Sequence, residues 1–242
     1  MKRLLIILAA IVAAVSCSKD AELCSVVFDC TTDALPTRAD NINDALKSLN
    51  PDFSGMELTV GGTKVRIGEE TQMYEGLYSV NLLYHPGNGD NWYGCTEAFK
   101  GFYIQGFTCD HPSVYINEGI EVVKSQTHYN LHAKYDCCAF VFDTAKIDSV
   151  DVTYCFQNVT EADMEAGVEP YVTWTPKCSE FDNLRVFFLC NYTTTENYML
   201  TLYKDGQGVS VPIKGVRTGR YYVLDYGRTV CIDYADWIDG NY

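Results

Sequence analysis

Three groupings in this 242-residue chain bring together side chains able to do chemistry. His128 and His132 stand four apart with Cys137-Cys138 just beyond, a donor set that zinc would accept. The stretch reads as a strand or its approach, however, and four residues along a strand span roughly 12 Å or more rather than one helical turn. Cys109-Asp110-His111 sets a thiol beside an imidazole, but nothing in the surrounding sequence supplies an oxyanion cradle or an activating helix terminus. The 32 carboxylates single out no pair as a glycosidase acid and base, and no serine stands in a nucleophile-elbow context. These residues predict a protein that is not an enzyme, with no catalytic residue, no metal and no cofactor.

One cysteine has a different chemical prospect. Met1-Lys2-Arg3, an apolar block over 4–15 and Ser16 read as a secretory signal peptide over 1–16, because a membrane span needs about twenty apolar residues. Cys17 follows the cleavage point directly. Ala14-Val15-Ser16-Cys17 resembles a bacterial lipobox, departing from it at Ala14, where leucine is commoner. That resemblance implies a diacylglycerol on the Cys17 thiol, with palmitate-class chains holding the mature protein to the outer membrane. Each buried methylene contributes about 0.8 kcal/mol to such an anchor. The alternative is a plain signal peptide with a cysteine after it by accident. Ser18-Lys19-Asp20-Ala21-Glu22 is a charged spacer, and resembles the tag some Gram-negative anaerobes use to move lipoproteins to the cell surface. As physics alone it is a solvated tether.

The elements that must carry these residues are strands. Apolar residues make up 47% and aromatics 13%, with 18 tyrosines and 11 phenylalanines, enough for a β-rich core. The formal charge of −14 excludes nucleic acid as a partner and argues against electrostatic docking to anionic lipid. Of 11 cysteines, Cys17 aside, an even ten remain, which in an exported chain allows disulfides. Several of them sit in apolar strand patterns, where a free thiol is only a small hydrophobe. A minority is expected to pair, in combinations the sequence does not specify.

A short strand is expected over 24–30 and a short helix over 41–49. The clearest hairpin is 56–60, Gly61-Gly62, 63–67, with Val60 opposite Thr63 and Leu58 opposite Val65. Further strands are expected over 77–85, 101–107 and 113–123. The apolar pattern lapses over 124–130, which puts a boundary between an N-terminal sandwich domain, 17–124, and a C-terminal one, 125–242. The second half repeats the style, with strands from 137–142 to 229–234. Its one short helix, at 161–166, is capped by Thr160 with Asp163 three residues on and stopped by Gly167. The whole reads as all-β, two tandem antiparallel β-sandwich domains of transthyretin-like or Ig-like type.

The lipobox, the strand soon after it and the loop Leu35-Pro36-Thr37-Arg38-Ala39-Asp40 together resemble the fimbrillin-like lipoproteins, the subunits and anchors of type V pili. Gly219-Arg220-Tyr221-Tyr222-Val223-Leu224 and the ending Val230 to Gly240, with Trp237 three before a glycine, agree with that family. The resemblance spans the chain and implies two transthyretin-like sandwiches in tandem. It also implies cleavage at Arg38 by an arginine-specific protease, loss of the strand carrying Val26, Val27 and Phe28, and insertion of a neighbouring subunit's strand into the groove left behind. The other reading of Arg38 is an ordinary exposed loop arginine. Little chain follows Trp237, which favours an anchor, tip or accessory subunit over a stalk subunit.

The implied function is fimbria assembly or anchoring and cell adhesion, with fimbrial subunits or a second copy as partner. A different class rests on the aromatics. Trp92-Tyr93 after the turn at 87–91, and Trp174 near Pro176, could stack on sugar rings in a surface glycan-binding lipoprotein, or simply plug the end of a sandwich core. Asn158 and Asn191 begin glycosylation sequons, and Asp143-Thr144-Ala145 and Asp148-Ser149-Val150 resemble an O-glycosylation tripeptide. Both are patterns of low specificity.

Overall fold

The computed structural model describes residues 22–32, 40–86, 106–190, 197–213, 216–226 and 232–236. Cys17, Arg38, Trp92 and Tyr93 lie outside them. Seventeen strands and two short helices are present among the described residues, so the all-β expectation holds. The sheets form sandwich-like or near-barrel arrangements.

One sheet has seven strands in the order β3-β2-β5-β7-β8-β1-β4. These are β1 (Leu23–Thr32), β2 (Glu57–Val60), β3 (Thr63–Arg66), β4 (Glu70–Tyr74), β5 (Gly76–Tyr84), β7 (Val114–Val122) and β8 (His128–Tyr135). Its two outer strands, β3 and β4, are separated by only Ile67-Gly68-Glu69, so the sheet must curl until its edges approach. The β2–β3 hairpin has the expected register, Glu57↔Arg66 through Val60↔Thr63. Gly61 and Gly62 both have positive φ, 55° and 87°, as a two-residue turn of matching twist requires. Glu57 stands opposite Arg66 but pairs on the diagonal with Lys64, and Arg66 turns to Glu69 at 3.7 Å.

The stretch over 124–130, where the pattern lapses, takes in most of the turn by which β7 runs back into β8 and the first three residues of β8. Those two strands pair antiparallel, Val114↔Tyr135. The helix α1 (Asp40–Ser48) buries Ile42, Ala45 and Leu46 on one face, followed by Leu49.

The remaining strands build two facing sheets. A four-stranded one runs β11-β10-β14-β15, from β10 (Ser149–Cys155), β11 (Tyr171–Trp174), β14 (Tyr198–Lys204) and β15 (Gln207–Pro212). The other runs β12-β13-β9-β16-β17, from β9 (Cys138–Asp143), β12 (Ser179–Phe181), β13 (Leu184–Cys190), β16 (Arg220–Val223) and β17 (Ile232–Asp236). In addition β6 (Phe107–Cys109) pairs with the far half of β13, in line with β12 along the same edge. Phe140, Phe187 and Tyr222 from one sheet interlock with Val152, Tyr154, Tyr198 and Leu200 from the other in one buried cluster.

The pairing of β16 with β9 departs from the antiparallel expectation, since the two strands lie parallel. The chain reaches β16 by leaving β15 in the opposite sheet, and such a crossover sets direction independently of any hairpin. The helix α2 (Glu161–Glu165) carries the expected capping box between Thr160 and Asp163 and ends before Gly167, whose φ is 82°.

Contacts group the chain into two compact units. One gathers the described residues up to Cys30 with Phe53–Leu82 and Asn117–Leu131; the other gathers Thr31–Asp52, Leu83–Ile116 and the residues from His132 on.

Candidate functional site

The site with the most to offer is a strand, β1, rather than a pocket. Its sequence Leu-Cys-Ser-Val-Val-Phe-Asp alternates, so Cys24, Val26 and Phe28 face one way and Ser25, Val27 and Asp29 the other. Val26 and Phe28 are 0% exposed. The Phe28 ring lies 5.7 Å from that of Tyr129, and the Tyr129 hydroxyl accepts from Val123 N at 3.0 Å.

Both backbone edges of β1 are used. Toward β4 it pairs antiparallel from Leu23↔Tyr74 to Val27↔Glu70, and Phe28 O accepts from Gly68 N at 2.8 Å. Toward β8, Val27 N donates to Thr127 O at 2.8 Å. Its outward face is held by polar contacts: Ser25 donates to Glu70, and His128 Nδ1 lies 3.3 Å from Asp29 Oδ2. At its start, Lys124 Nζ donates to Glu22, and Glu75 N to Glu22 O at 2.9 Å. A strand seated in this way cannot leave without uncovering an apolar trough and two rows of unpaired amide and carbonyl groups.

Sequence reading missed the partner strand β4. Only Met73 of its five residues is buried, so apolar alternation was too thin to reveal it. The signal present was its placement between Gly68 and Gly76, both with positive φ.

The groupings weighed for catalysis come apart in three dimensions. His128 and His132 occupy exposed positions of β8, while Cys137 is buried. Among the described residues no three His, Cys, Asp or Glu side chains converge as metal ligands would. Cys109 Sγ donates to His111 O at 2.9 Å, and its hydrogen bond with Cys190, together with burial, pushes its pKa far up, the reverse of an activated nucleophile. Asp110 instead accepts from Lys177 at 2.8 Å and lies 3.1 Å from His111 Nδ1.

A serine and histidine that the sequence did not bring together do meet. His85 Nδ1 lies 2.5 Å from Ser113 Oγ, and Ser113 donates to Tyr84 O at 3.1 Å. Burial lowers the His85 pKa and raises that of Asp136, and each charge partly offsets the shift of the other. Ser113 is fully buried with its proton committed to a backbone carbonyl, so it is placed to hold strands together rather than to attack a substrate. These residues come from three distant stretches, which no local pattern could have joined.

Trp174 is 5% exposed and belongs to the core. Its Nε1 donates to Thr108 Oγ1 at 2.8 Å and its ring meets Tyr198 edge-on at 6.4 Å. Burial leaves no ring face for a sugar, which removes Trp174 from the glycan-stacking set.

No protein-family model matches the chain, and no curated protein does. Several solved structures are similar to it. A candidate cell adhesion protein from Bacteroides uniformis is 10% identical, with 89% of this chain and 99% of that one covered and a TM-score of 0.42. Another from Bacteroides thetaiotaomicron is 12% identical, covering 91% and 98%, at 0.43. The tip fimbrial protein Mfa3 of Porphyromonas gingivalis, truncated at its C-terminus, is 12% identical, covering 75% and 92%, at 0.37. Identities this low leave function to be argued from the residues.

Proposed function

We propose that this chain is a surface lipoprotein, delivered to the outer membrane through Cys17, that serves adhesion or fimbria assembly by exchanging strand β1: an uncut copy keeps its lipid and acts as an anchor, and a copy cut at Arg38 gives up the lipidated segment together with β1. The reading rests chiefly on how β1 is held: buried on one face by Cys24, Val26 and Phe28, hydrogen-bonded along both edges, and followed by the segment that carries Arg38. Cleavage at Arg38 frees the segment before it from its covalent tie to the globule. A strand of like pattern from a fimbrial subunit or a second copy can then take its place, with apolar side chains in the trough at alternate positions and its backbone paired to β4 and β8. Such a partner is read by pleat and pattern, so the protein needs no reactive side chain.

Mass spectrometry of the native protein tests the two halves of the reading. An acylated Cys17 as first residue supports the anchor, and Ala39 as first residue supports cleavage. A first residue at Ser18 or upstream with no acyl mass would end the anchor proposal. After nicking at Arg38 with an arginine-specific protease, a labelled 23–32 peptide should exchange into the protein. Failure of both the peptide and a second copy to enter would end strand exchange.

A further inference from the structure

Three buried cysteines converge on one face of the sheet that holds β6, β13 and β9. In β6, Cys109 pairs with Phe188, and in β13, Cys190 pairs with Phe107, so Cys109 and Cys190 are diagonal neighbours with side chains on the same side. Their sulfurs are 3.9 Å apart. On the other flank β9 and β13 pair Cys138 with Leu189, and continuing that register by one residue sets Cys137 opposite Cys190. Cys137 and Cys190 are linked by a side-chain hydrogen bond. Cys138 points the other way, into the core between the sheets, and donates to Leu189 O at 3.6 Å.

We propose that Cys190 is the hub of a three-thiol centre that takes up a single disulfide, to Cys109 across β6–β13, with Cys137 as the competing partner. Only one of the two bonds can exist in a molecule, since both use the same sulfur. Closing 3.9 Å to the roughly 2.05 Å of a disulfide needs a movement that a three-residue edge strand can supply. The bond would fasten β6 covalently to the edge of β13. This proposal is independent of strand exchange at β1.

The chemistry needs an external disulfide as oxidant, such as oxidised glutathione or a disulfide-exchange protein of the exported compartment. The Cys190 thiolate attacks one sulfur of that disulfide and expels a thiolate, giving a mixed disulfide. The Cys109 thiolate then attacks the Cys190 sulfur and expels the second thiolate. Two protons from the cysteines end on the two released thiols, and two electrons have passed to the oxidant. Burial raises the pKa of Cys190 and Cys137, and a hydrogen bond with burial raises that of Cys109, so none is readily ionised once the sheet has closed. The bond is therefore made while the chain folds, before β6 docks.

The test uses the full mature-length chain from Ser18, unfolded and then refolded in mixed reduced and oxidised glutathione. Remaining thiols are alkylated under denaturing conditions and the peptides mapped without reduction, with fragmentation between Cys137 and Cys138. The expected result is a major Cys109–Cys190 link, a minor Cys137–Cys190 link, and a Tm above that of the reduced protein by on the order of 10 °C. Cys109→Ser should move the bond to Cys137–Cys190, and Cys190→Ser should leave both Cys109 and Cys137 alkylated. Should a variant fail to show a β-sheet circular dichroism spectrum, the map of the unsubstituted chain still decides. Cys190 recovered mainly as the alkylated thiol, or bonded to a cysteine outside the trio, overturns the proposal.

Discussion

Replacing Phe28 by alanine probes how β1 is seated. The ring is wholly buried and lies against Tyr129, so truncation removes its transfer free energy, leaves a cavity and loses a ring contact. Core Phe→Ala changes cost about 3–5 kcal/mol, against a total stability on the order of 5–15 kcal/mol for a domain. Val27 is the control, one residue away on the opposite face and only half-buried, where alanine should cost about 1 kcal/mol. Urea unfolding of the chain from Ser18 measures both. With a slope of about 2 kcal/mol per molar, Phe28→Ala should lower the midpoint by about 2 M and Val27→Ala by about 0.5 M. Hydrogen exchange should report the loss locally, in peptides from β1, β4 and β8. A one-residue slip in register would exchange the two faces of β1. Equal midpoints, or a larger effect at Val27, would therefore refute the seating on which strand exchange depends.

Other consequences can be checked on the same material. At the β2–β3 turn, Gly61→Ala should destabilise by about 2–3 kcal/mol, because φ is 55° and the new Cβ would stand 2.5 Å from Tyr78 Cδ1; Gly62→Ala, at φ 87° with open space, should cost about 1 kcal/mol, read by thermal unfolding. Trp174→Phe keeps a ring in the core but strands the hydroxyl of the buried Thr108, for about 1–3 kcal/mol, and should leave retardation in polysaccharide gels unchanged. The Asp148 pKa is held down by hydrogen bonds from Lys204 and from Asp205 N. A depressed folded pKa gives stability that is present above the ordinary value of 3.8 and lost as pH falls below it, so Asp148→Asn should flatten that part of a pH–stability profile.

Much of the architecture could be read directly because it is local. The β2–β3 register follows from two glycines between alternating runs, and the α2 boundaries follow from Thr160, Asp163 and Gly167. The end of β14 is local in the same sense, with Asp205-Gly206, both at positive φ, making the turn into β15. Elements with one buried residue or three residues in all gave no such signal. β4 and β12 exist because a neighbouring strand has an edge to fill, and edge demand is a property of the assembled sheet.

The candidate site divides in the same way. The apolar pattern put Val26, Val27 and Phe28 on one short strand and gave β-structure to most of the chain, because a period of two is written residue by residue; the structure then turned Val26 and Phe28 inward and Val27 outward. The lipid and cleavage expectations at Cys17 and Arg38 came from short motifs and the resemblance they carry, and both residues lie outside the described ones. Tertiary structure alone decided that β1 has a partner on each edge, that Trp174 is core, that β16 runs parallel to β9, and that Cys109, Cys137 and Cys190 share one face. Those outcomes depend on which distant strands meet and in what register, and that is settled by the joint burial of many side chains rather than by any one stretch.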